Sequence, residues 1–491
     1  MLLDERAVRL EKLERLRALG LDPYAVEPQR SATCAEAQAS FEAWSAEARS
    51  VTLAGRLLTV RVHGGMMFAD LVDESGKLQL AFKQDELGTP FDTFRDCIDP
   101  ADSVEATGVL FTTRRGEKSL QVQSWRPLTK ALLPLPEKWH GLQDIETRYR
   151  ARELDLLSNE EVRQRFLVRS KLVAALRRFF DDRGFIEVET PMLHPIPGGA
   201  NARPFVTHHN ALDADFYLRI APELYLKRLL VGGFERVYEI GRSFRNEGID
   251  HTHNPEFTML ELYWSFVKRE PFIAFLEEMV STIVSAAMGS TEVVTPEATF
   301  QFTGPFPRVT FREAIKQATG IDIDLLKTDE AVREAVAQAG LRIDLSKAVG
   351  LSECLDELYK KTARAAIVQP TWVLDYPAEM KPLANVSRED ATKSACAQLV
   401  VQGAEVINAY YHELHDPIIQ RERLEEQERL AASGSEEAQR LDGGFLEALE
   451  HGMPPTSGMG MGIDRFVSLM TGAGSLKEVI LFPTLRPTPR G

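Results

Sequence analysis

The sequence predicts an α+β protein: a small closed β-barrel, then a larger domain built on an antiparallel sheet flanked by helices. Three observations lead there. The 491 residues are 44% hydrophobic and 27% charged, a balance that packs two or three globular cores and excludes a disordered or fibrous chain. Residues 51–128 fall into five short β-rich runs separated by glycine turns, which suits a small barrel. After them, β-like runs such as YLRIA, RVYEIG and FTMLELYWSF alternate with helical ones, without the strand–helix–strand rhythm of a parallel sheet.

Leu3, Leu10, Leu13 and Leu16 recur at helical intervals until Gly20 and Asp22-Pro23 stop the pattern, so a helical extension is expected within 1–50. Asp4, Glu5, Glu11 and Glu14 interleave with its basic residues, which favours a packing helix over one that touches RNA. The runs VTLAGRLLTVRV, MMFADLVD, KLQLAF, SVEATGVLFTT and KSLQVQSW, punctuated by Gly64-Gly65, Ser75-Gly76 and Gly116, place the barrel at 51–130. Barrels of this OB type bind oligonucleotides on one strand face. The proline-rich LLPLPEKWHG makes 131–143 a linker. The remainder, 144–491, contains EEVRQRFLVRSKLVAALRRFFDDRGF, an amphipathic helix ended by Gly184 that feeds a strand over Phe185–Glu189. Residues around 265–370 read as a helical insertion, and RERLEEQERLAASGSEEAQRL as a charge-laced helix with a polar break.

Charge and composition narrow the function. The net charge of −15 argues against a protein held to nucleic acid by bulk positive charge. The deficit is uneven: residues 1–150 carry 20 basic and 23 acidic side chains, residues 151–491 carry 38 and 50, so the first third is the better polyanion partner. No run of apolar residues is expected to span a membrane, and the charged start lacks a signal-peptide core, which suggests a cytoplasmic protein. Cys34, Cys97, Cys354 and Cys396 lie too far apart for a zinc or redox motif and read as reduced thiols.

Three clusters carry chemistry. GFIEVETPML (184–193) is a strand stopped at Pro191. FRNEGIDHTHNPEFTMLELYW (244–264) packs an unusual density of charged, polar and aromatic residues into one stretch. GMGMGIDRF (458–466) is a glycine-spaced strand that delivers Asp464 and Arg465. It is not a Rossmann fingerprint, because Ile463 stands where GxGxxG needs glycine, and no P-loop GK[ST] follows. Alternating glycines before an arginine suit a flat ligand lying against the strand, such as an adenine.

These clusters resemble motifs 1, 2 and 3 of the class II aminoacyl-tRNA synthetases, and the wording is closest to the lysyl-tRNA synthetases. EKWHGLQDIETRYR (137–150), PGGANARPFVTHHNALD (197–213), YLRIAPELYLKRLLVGGFERVYEI (217–240) and LEHGMPPTSGMGMGIDR (449–465) extend the likeness over nearly the whole chain. The resemblance implies a class II catalytic domain behind an OB-type anticodon-binding barrel. It implies lysine activation with ATP to lysyl-adenylate, transfer to the 3′ end of tRNA(Lys), magnesium as cofactor, and a homodimer joined through the 161–184 helix and Pro191.

The resemblance also implies roles. Arg245 would bridge the attacking carboxylate and the α-phosphate, since a guanidinium fork donates to both. Phe257 and Arg465 would sandwich the adenine, Glu247 would accept from its amino group, and His253 and Asn254 would line the triphosphate or sugar. Lysine brings two ammonium groups that need anions once desolvated. Glu223 would receive the α-amino group, and Glu413, with Tyr263 and Glu261, the ε-ammonium; Gly199, Asn408 and Tyr410 would shape the slot. In the barrel, Phe68 would stack on an anticodon base, with Gln79 and Glu117 reading base edges and Arg61 assisting by charge. Without the resemblance, Glu223 reads as a helix partner of Lys227, Glu413 as a surface residue, and Phe68 as core.

Two departures stand in SACAQLVVQGAEVINAYYHELHDP (394–417). Where the family holds magnesium with two glutamates seven residues apart, this chain has Gln398 and Glu405, so a weakened magnesium site is expected. NAYYHELHDP is also one residue longer than usual, which reverses the facing of Glu413 unless a bulge absorbs the extra residue. These departures keep open a lysine-activating paralogue that modifies a protein and a catalytically weakened tRNA-binding homologue. His412 and His415 read as polar surface.

Overall fold

The computed structural model describes residues 2–136, 142, 144–200, 202–381, 384–432 and 440–487, in two compact units, Met1–Gln143 and Asp144–Gly491. Of the 131–143 linker and the 137–150 motif, residues 137–141 and 143 lie outside the described residues, as do Asn201 and the polar break at 433–439.

In the first unit, the helix Leu2–Ala18 buries Leu13 and Leu16 while Leu10 stays half-buried. The barrel strands are β1 (Ser50–His63), β2 (Met66–Asp73), β3 (Gly76–Lys83), β4 (Ser103–Thr112) and β5 (Lys118–Thr129), closed in the order β1-β2-β3-β5-β4. Closure comes from β3 pairing parallel with β5, Gln79 opposite Ser119, while the other pairs are antiparallel. The strands alternate: Leu53, Leu57, Met67, Ala69, Leu80, Leu120 and Val122 fill the interior, and the helix Thr89–Cys97 adds Phe91 and Phe94. Strand curvature needs Gly108, where an added Cβ would lie 1.9 Å from the Gln121 carbonyl oxygen.

The second unit is built on an eight-stranded sheet of β6 (Ile186–Glu187), β7 (Arg236–Phe244), β8 (Glu256–Ser265), β9 (Arg308–Thr310), β10 (Thr371–Leu374), β11 (Cys396–Val401), β12 (Ala404–Tyr410) and β13 (Thr456–Gly462). Their order is β9-β10-β11-β12-β13-β8-β7-β6, and only the two edge pairs, β9–β10 and β7–β6, are parallel. One face of the central strands buries Leu260, Leu262, Met459, Met461, Leu399 and Ile407 against the helices Glu160–Asp181 and Arg269–Met288. The opposite face of β8, β12 and β13 is left for the site.

The stretch expected as a helical insertion is more mixed. Its first helix, Arg269–Met288, belongs to the main core, and β9 joins the main sheet. The helices Phe311–Thr319, Asp329–Gln338 and Gly350–Lys361 form a second core with Val373, Tyr376 and Val400. The helix Arg269–Met288 is long and apolar enough by length and composition alone to cross a membrane. It buries nine apolar side chains, Phe272 to Ala287, in the main core. All four cysteines are free and buried.

Candidate active site

The β7–β8 hairpin and the strands β12 and β13 line a cleft of about 580 Å³. Strand alternation decides which side chains enter it. Phe257, Met259, Glu261 and Tyr263 of β8 face the cleft while Leu260 and Leu262 between them are core. On β13 the cleft face is Gly458, Gly460 and Gly462, opposite Tyr263, Glu261 and Met259 respectively. The glycines therefore admit the protein's own side chains: a Cβ at Gly458 would stand 2.5 Å from both the Glu413 Oε1 and the Tyr263 ring. Only Gly462 leaves its face open, with Arg465 Cβ at 3.8 Å, so a strand-lined flat ligand has one glycine rather than three to lie against.

At the hairpin end, the Arg245 amide donates to the Pro255 carbonyl at 2.8 Å, closing the loop that carries Glu247 and His253. The Arg245 guanidinium lies 5.1 Å from the Phe257 ring centroid, and its buried Nε has no hydrogen-bond partner among the described residues. Burial pulls its pKa down, against the nearby Glu247 and Glu261 charges. Arg465, on the helix Ile463–Thr471, donates to the Glu405 backbone oxygen at 3.2 Å. His253 is exposed and contacts Asp250 at 3.0 Å. Asn254 donates to the Glu256 carbonyl at 2.5 Å and accepts from the Thr484 amide at 3.3 Å, so both ends of its amide fasten backbone although it borders the cleft.

The other end is acidic. Glu223 opens the helix Glu223–Val231, and Gly199 packs on it with φ +88°. Glu261 is buried and accepts from the Tyr263 hydroxyl at 3.2 Å. Burial and then the Glu223 charge push its carboxyl up to about 8. Glu413 is 1% exposed, and burial raises its pKa against the pull of the Lys227 ammonium. Lys227 lies between the two walls, 2.6 Å from Glu223 Oε1 and 2.8 Å from Glu413 Oε2. The first contact is an aligned hydrogen bond, and the second is a charge contact off the hydrogen-bond line. Thus the helix pairing expected of Glu223 and its place in the cleft both hold. The extra residue before Glu413 is absorbed by a bend at Tyr411–His412 rather than by a strand bulge: β12 ends at Tyr410, Tyr411 turns into the core, and Glu413 returns to the cleft with its amide on the Thr456 carbonyl at 2.9 Å.

Gln398 does not join the cleft wall. It stands on the face of β11 shared with Cys396 and Val400, which packs on the second core. Its carbonyl accepts from the Tyr376 hydroxyl at 2.5 Å and its amide donates to Asn408 Oδ1 at 3.1 Å. Gln398 is thus set one strand back from the cleft that Glu405 borders, with both ends of its amide engaged by protein. Of these two, only Glu405 borders the cleft, with no ion pair among the described residues, and its carboxylate is a hard-oxygen donor of the kind magnesium accepts. Among the described residues no group of three or more His, Cys, Asp or Glu could hold a metal by itself.

Every other residue expected to bind ATP or lysine borders this cleft. Sequence reasoning missed Met259, which the period-2 alternation with Phe257 and Glu261 marks, and Lys381, for which the sequence carries no signal. In the barrel, Arg61 is directly opposite Phe68 on β1 and β2, and Gln79 of β3 is opposite Asp70, two residues along. Phe68 is half-buried on the outer face between interior Met67 and Ala69, so it is not core. Gln79 accepts from Ser119, next to exposed Glu117, at 2.9 Å, which brings the four residues to one flank of the barrel.

A strand-built cleft with an arginine whose Nε has no partner among the described residues beside a phenylalanine, in a chain that also carries a closed five-stranded barrel, agrees with the family comparison. Residues 144–486 match the model of class II tRNA synthetases (D, K and N), and residues 51–128 match that of the OB-fold nucleic acid binding domain. The chain belongs to the class II tRNA synthetases of this group. Its relatives include the lysine–tRNA ligases of Moorella thermoacetica, 48% identical over 99% of this chain and 98% of that protein, and of Roseiflexus castenholzii, 49% identical over 98% of each. The lysine–tRNA ligase of Clostridium perfringens strain 13 is 45% identical over 99% of this chain and 96% of that protein.

Proposed function

We propose that this chain is a lysine–tRNA ligase, activating lysine with ATP to lysyl-adenylate and transferring the lysyl group to the 3′ end of tRNA(Lys). The observation that carries this reading is the change of charge along β8. Arg245, Phe257 and Arg465 gather at the Gly462 end, and Glu223, Glu261 and Glu413 at the Gly458 end. Six residues of strand, about 20 Å, separate Phe257 from Tyr263, enough for a nucleotide joined to an extended amino acid.

In this reading Phe257 and Arg465 hold the adenine between them, with Glu247 accepting from its amino group. The Arg245 guanidinium holds the lysine carboxylate oxygen in line with the α-phosphate and meets the negative charge that grows there during attack. It is already desolvated and has a free donor, so little reorganisation is needed. Asn254 and His253 shape the edge of the phosphate region, and Gly199, Asn408 and Tyr410 shape the amino-acid slot. Glu405 would hold magnesium, which when bound neutralises phosphate charge. The acidic end neutralises the two ammonium groups: Glu223 takes the α-amino group, and Glu413 with Glu261 and Tyr263 the ε-ammonium. A substrate with a side-chain carboxylate is repelled there.

The barrel flank of Arg61, Phe68, Gln79 and Glu117 would read the anticodon by stacking and base-edge contacts. A protein-modifying paralogue is not favoured, because relatives that match over nearly their full length, barrel included, are lysine–tRNA ligases. Ile186, Met192, Leu193 and Phe234 are exposed around the β6 sheet edge, which supports a homodimer through this region; a monomer by light scattering at micromolar concentration refutes it. The working compartment proposed is the cytoplasm. The test of the reading is ATP–pyrophosphate exchange with each standard amino acid, then aminoacylation of tRNA with any hit. Exchange with lysine alone is expected, and exchange with another amino acid or with none overturns the reading.

A further inference from the structure

Among the described residues Lys227 is the one cation paired with the carboxylates of the acidic end, and no step of the proposed reaction uses it. It rises from the helix Glu223–Val231 one turn after Glu223, is 1% exposed, and does not border the cleft. Its ammonium reaches Glu223 and Glu413 from behind the wall that they form, with the Tyr263 ring centroid 5.9 Å away. Glu413 gives Oε2 to this contact, while its Oε1 lies over Gly458, on the cleft face of β13. Glu223 gives Oε1 and keeps its second oxygen. Each carboxylate thus has one oxygen tied and one left for a ligand.

We propose that Lys227 is a positioning residue of the amino-acid site, a built-in cation that clamps Glu223 and Glu413 from two different elements into one fixed pair and thereby sets the length of diammonium amino acid the cleft accepts. The inference rests on the reading of the acidic end as the lysine site. Two physical arguments support it. Glu223 starts a helix and Glu413 follows a bend after β12, each with its backbone held by its own element, and the Lys227 ammonium is what joins the two side chains. The charge also balances: three carboxylates, Glu223, Glu261 and Glu413, less one ammonium leave two negative charges for the two ammonium groups of lysine. Burial opposes the Lys227 charge, but the two carboxylates outweigh it and hold its pKa above the ordinary value. The clamp therefore stays charged over the working pH range.

Lys227→Met and Lys227→Arg test this by ATP–pyrophosphate exchange, with lysine and with ornithine, which is one methylene shorter. Lysine-dependent exchange by the unaltered protein comes first, and its absence would sink the functional reading rather than this inference. For Lys227→Met the expected result is a KM for lysine raised at least tenfold, with the KM for ATP and kcat at saturating lysine within threefold. Equal losses for lysine and ATP, or no change for lysine, would overturn the proposal. Lys227→Arg keeps the charge, strands no carboxylate and gives a reading even if the methionine variant does not fold. With the clamp resized, the ratio of kcat/KM for ornithine over lysine is expected to change by at least threefold. A ratio within twofold of the unaltered protein would show that Lys227 does not set length and would overturn the proposal.

Discussion

Replacing Gly458 by alanine puts one methyl group where the acidic end has no room. The added Cβ would lie 2.5 Å from Glu413 Oε1 and from Tyr263 Cε1, and 2.6 Å from Tyr263 Cδ1. An ordinary carbon contact is roughly 3.5 Å, so both neighbours must retreat by about 1 Å. Neither retreats freely. Glu413 is tied to Lys227, and the Tyr263 hydroxyl is tied to Glu261 at 3.2 Å. Overpacking of this kind costs about 1–3 kcal/mol. If that cost falls on the placement of the two lysine-binding groups, the KM for lysine rises roughly 5- to 150-fold. Gly462, where the nucleotide is placed, is four residues further along the strand, about 13 Å away, so the KM for ATP should change less than twofold. The assay is ATP–pyrophosphate exchange with each substrate varied at saturation of the other, with a thermal melt alongside. An unchanged KM for lysine, or a parallel rise for ATP, refutes the assignment of Gly458 to the amino-acid end.

The pH dependence follows from the same groups. In the free site Glu261 titrates near 8 and Glu413 is raised, both chiefly by burial, with Glu223, Lys227, Arg245 and Tyr263 as their charged or titratable neighbours. Lysine needs the ionised forms, so its KM should climb as pH falls from 8.5 to 6, by up to about tenfold per unit for one group, and a flat profile contradicts this. Arg245→Ala should lower kcat for exchange by about 10²- to 10³-fold or more at saturating substrates, while circular dichroism shows the fold retained; a loss confined to KM would remove it from the reacting centre. Phe68→Ala should weaken charging of tRNA but leave lysine-dependent exchange intact, and equal losses in both assays would reject the anticodon role. Gln398→Glu keeps the acceptor for Tyr376 but loses the donor to Asn408 and buries a charge, so the expected effect is a loss of about 1–3 kcal/mol of stability in a denaturant melt and not a lower magnesium requirement.

The barrel was legible because its strands are short, alternate cleanly and are separated by glycines, so period-2 patterning and turn chemistry agree. The cleft was legible for a different reason. Phe257, Glu261 and Tyr263 share one strand with even spacing, and Gly458, Gly460 and Gly462 share the next, so face and function coincide in the sequence. The covering of Gln398 was not legible because spacing along the chain does not say which face of a strand is covered. Gln398 and Glu405 sit on adjacent strands whose register shifts between Leu399 and Val400, and the second core covers Gln398 while leaving Glu405 at the cleft. The Arg269–Met288 helix was read as part of an insertion, but its breadth of apolar surface reflects burial against the main sheet and the Glu160–Asp181 helix together. The role of Lys227 needs a tertiary fact, the return of Glu413 after the Tyr411–His412 bend, that no local pattern in the Glu223–Val231 helix contains.

Placing opposite charges at the two ends of one rigid sheet-built cleft solves a problem that two loops could not. A desolvated guanidinium and a desolvated cluster of carboxylates attract each other, and flexible carriers would let them collapse into an internal ion pair. The hydrogen-bond ladders of β8 to β7 and β13, from Phe244 opposite Glu256 to Trp264 opposite Ser457, form the rigid floor to which the loop of Arg245 and the carboxylate of Glu261 are anchored. Arg245 is thereby denied a carboxylate partner, and its buried Nε stays free of any hydrogen bond among the described residues. At the other end the carboxylates are held by Lys227, which satisfies part of their charge locally and leaves them no need to reach for Arg245. The sheet thus stores two unsatisfied sites of opposite sign, and a substrate that carries a carboxylate beside one ammonium, with a second ammonium farther on, satisfies both at once.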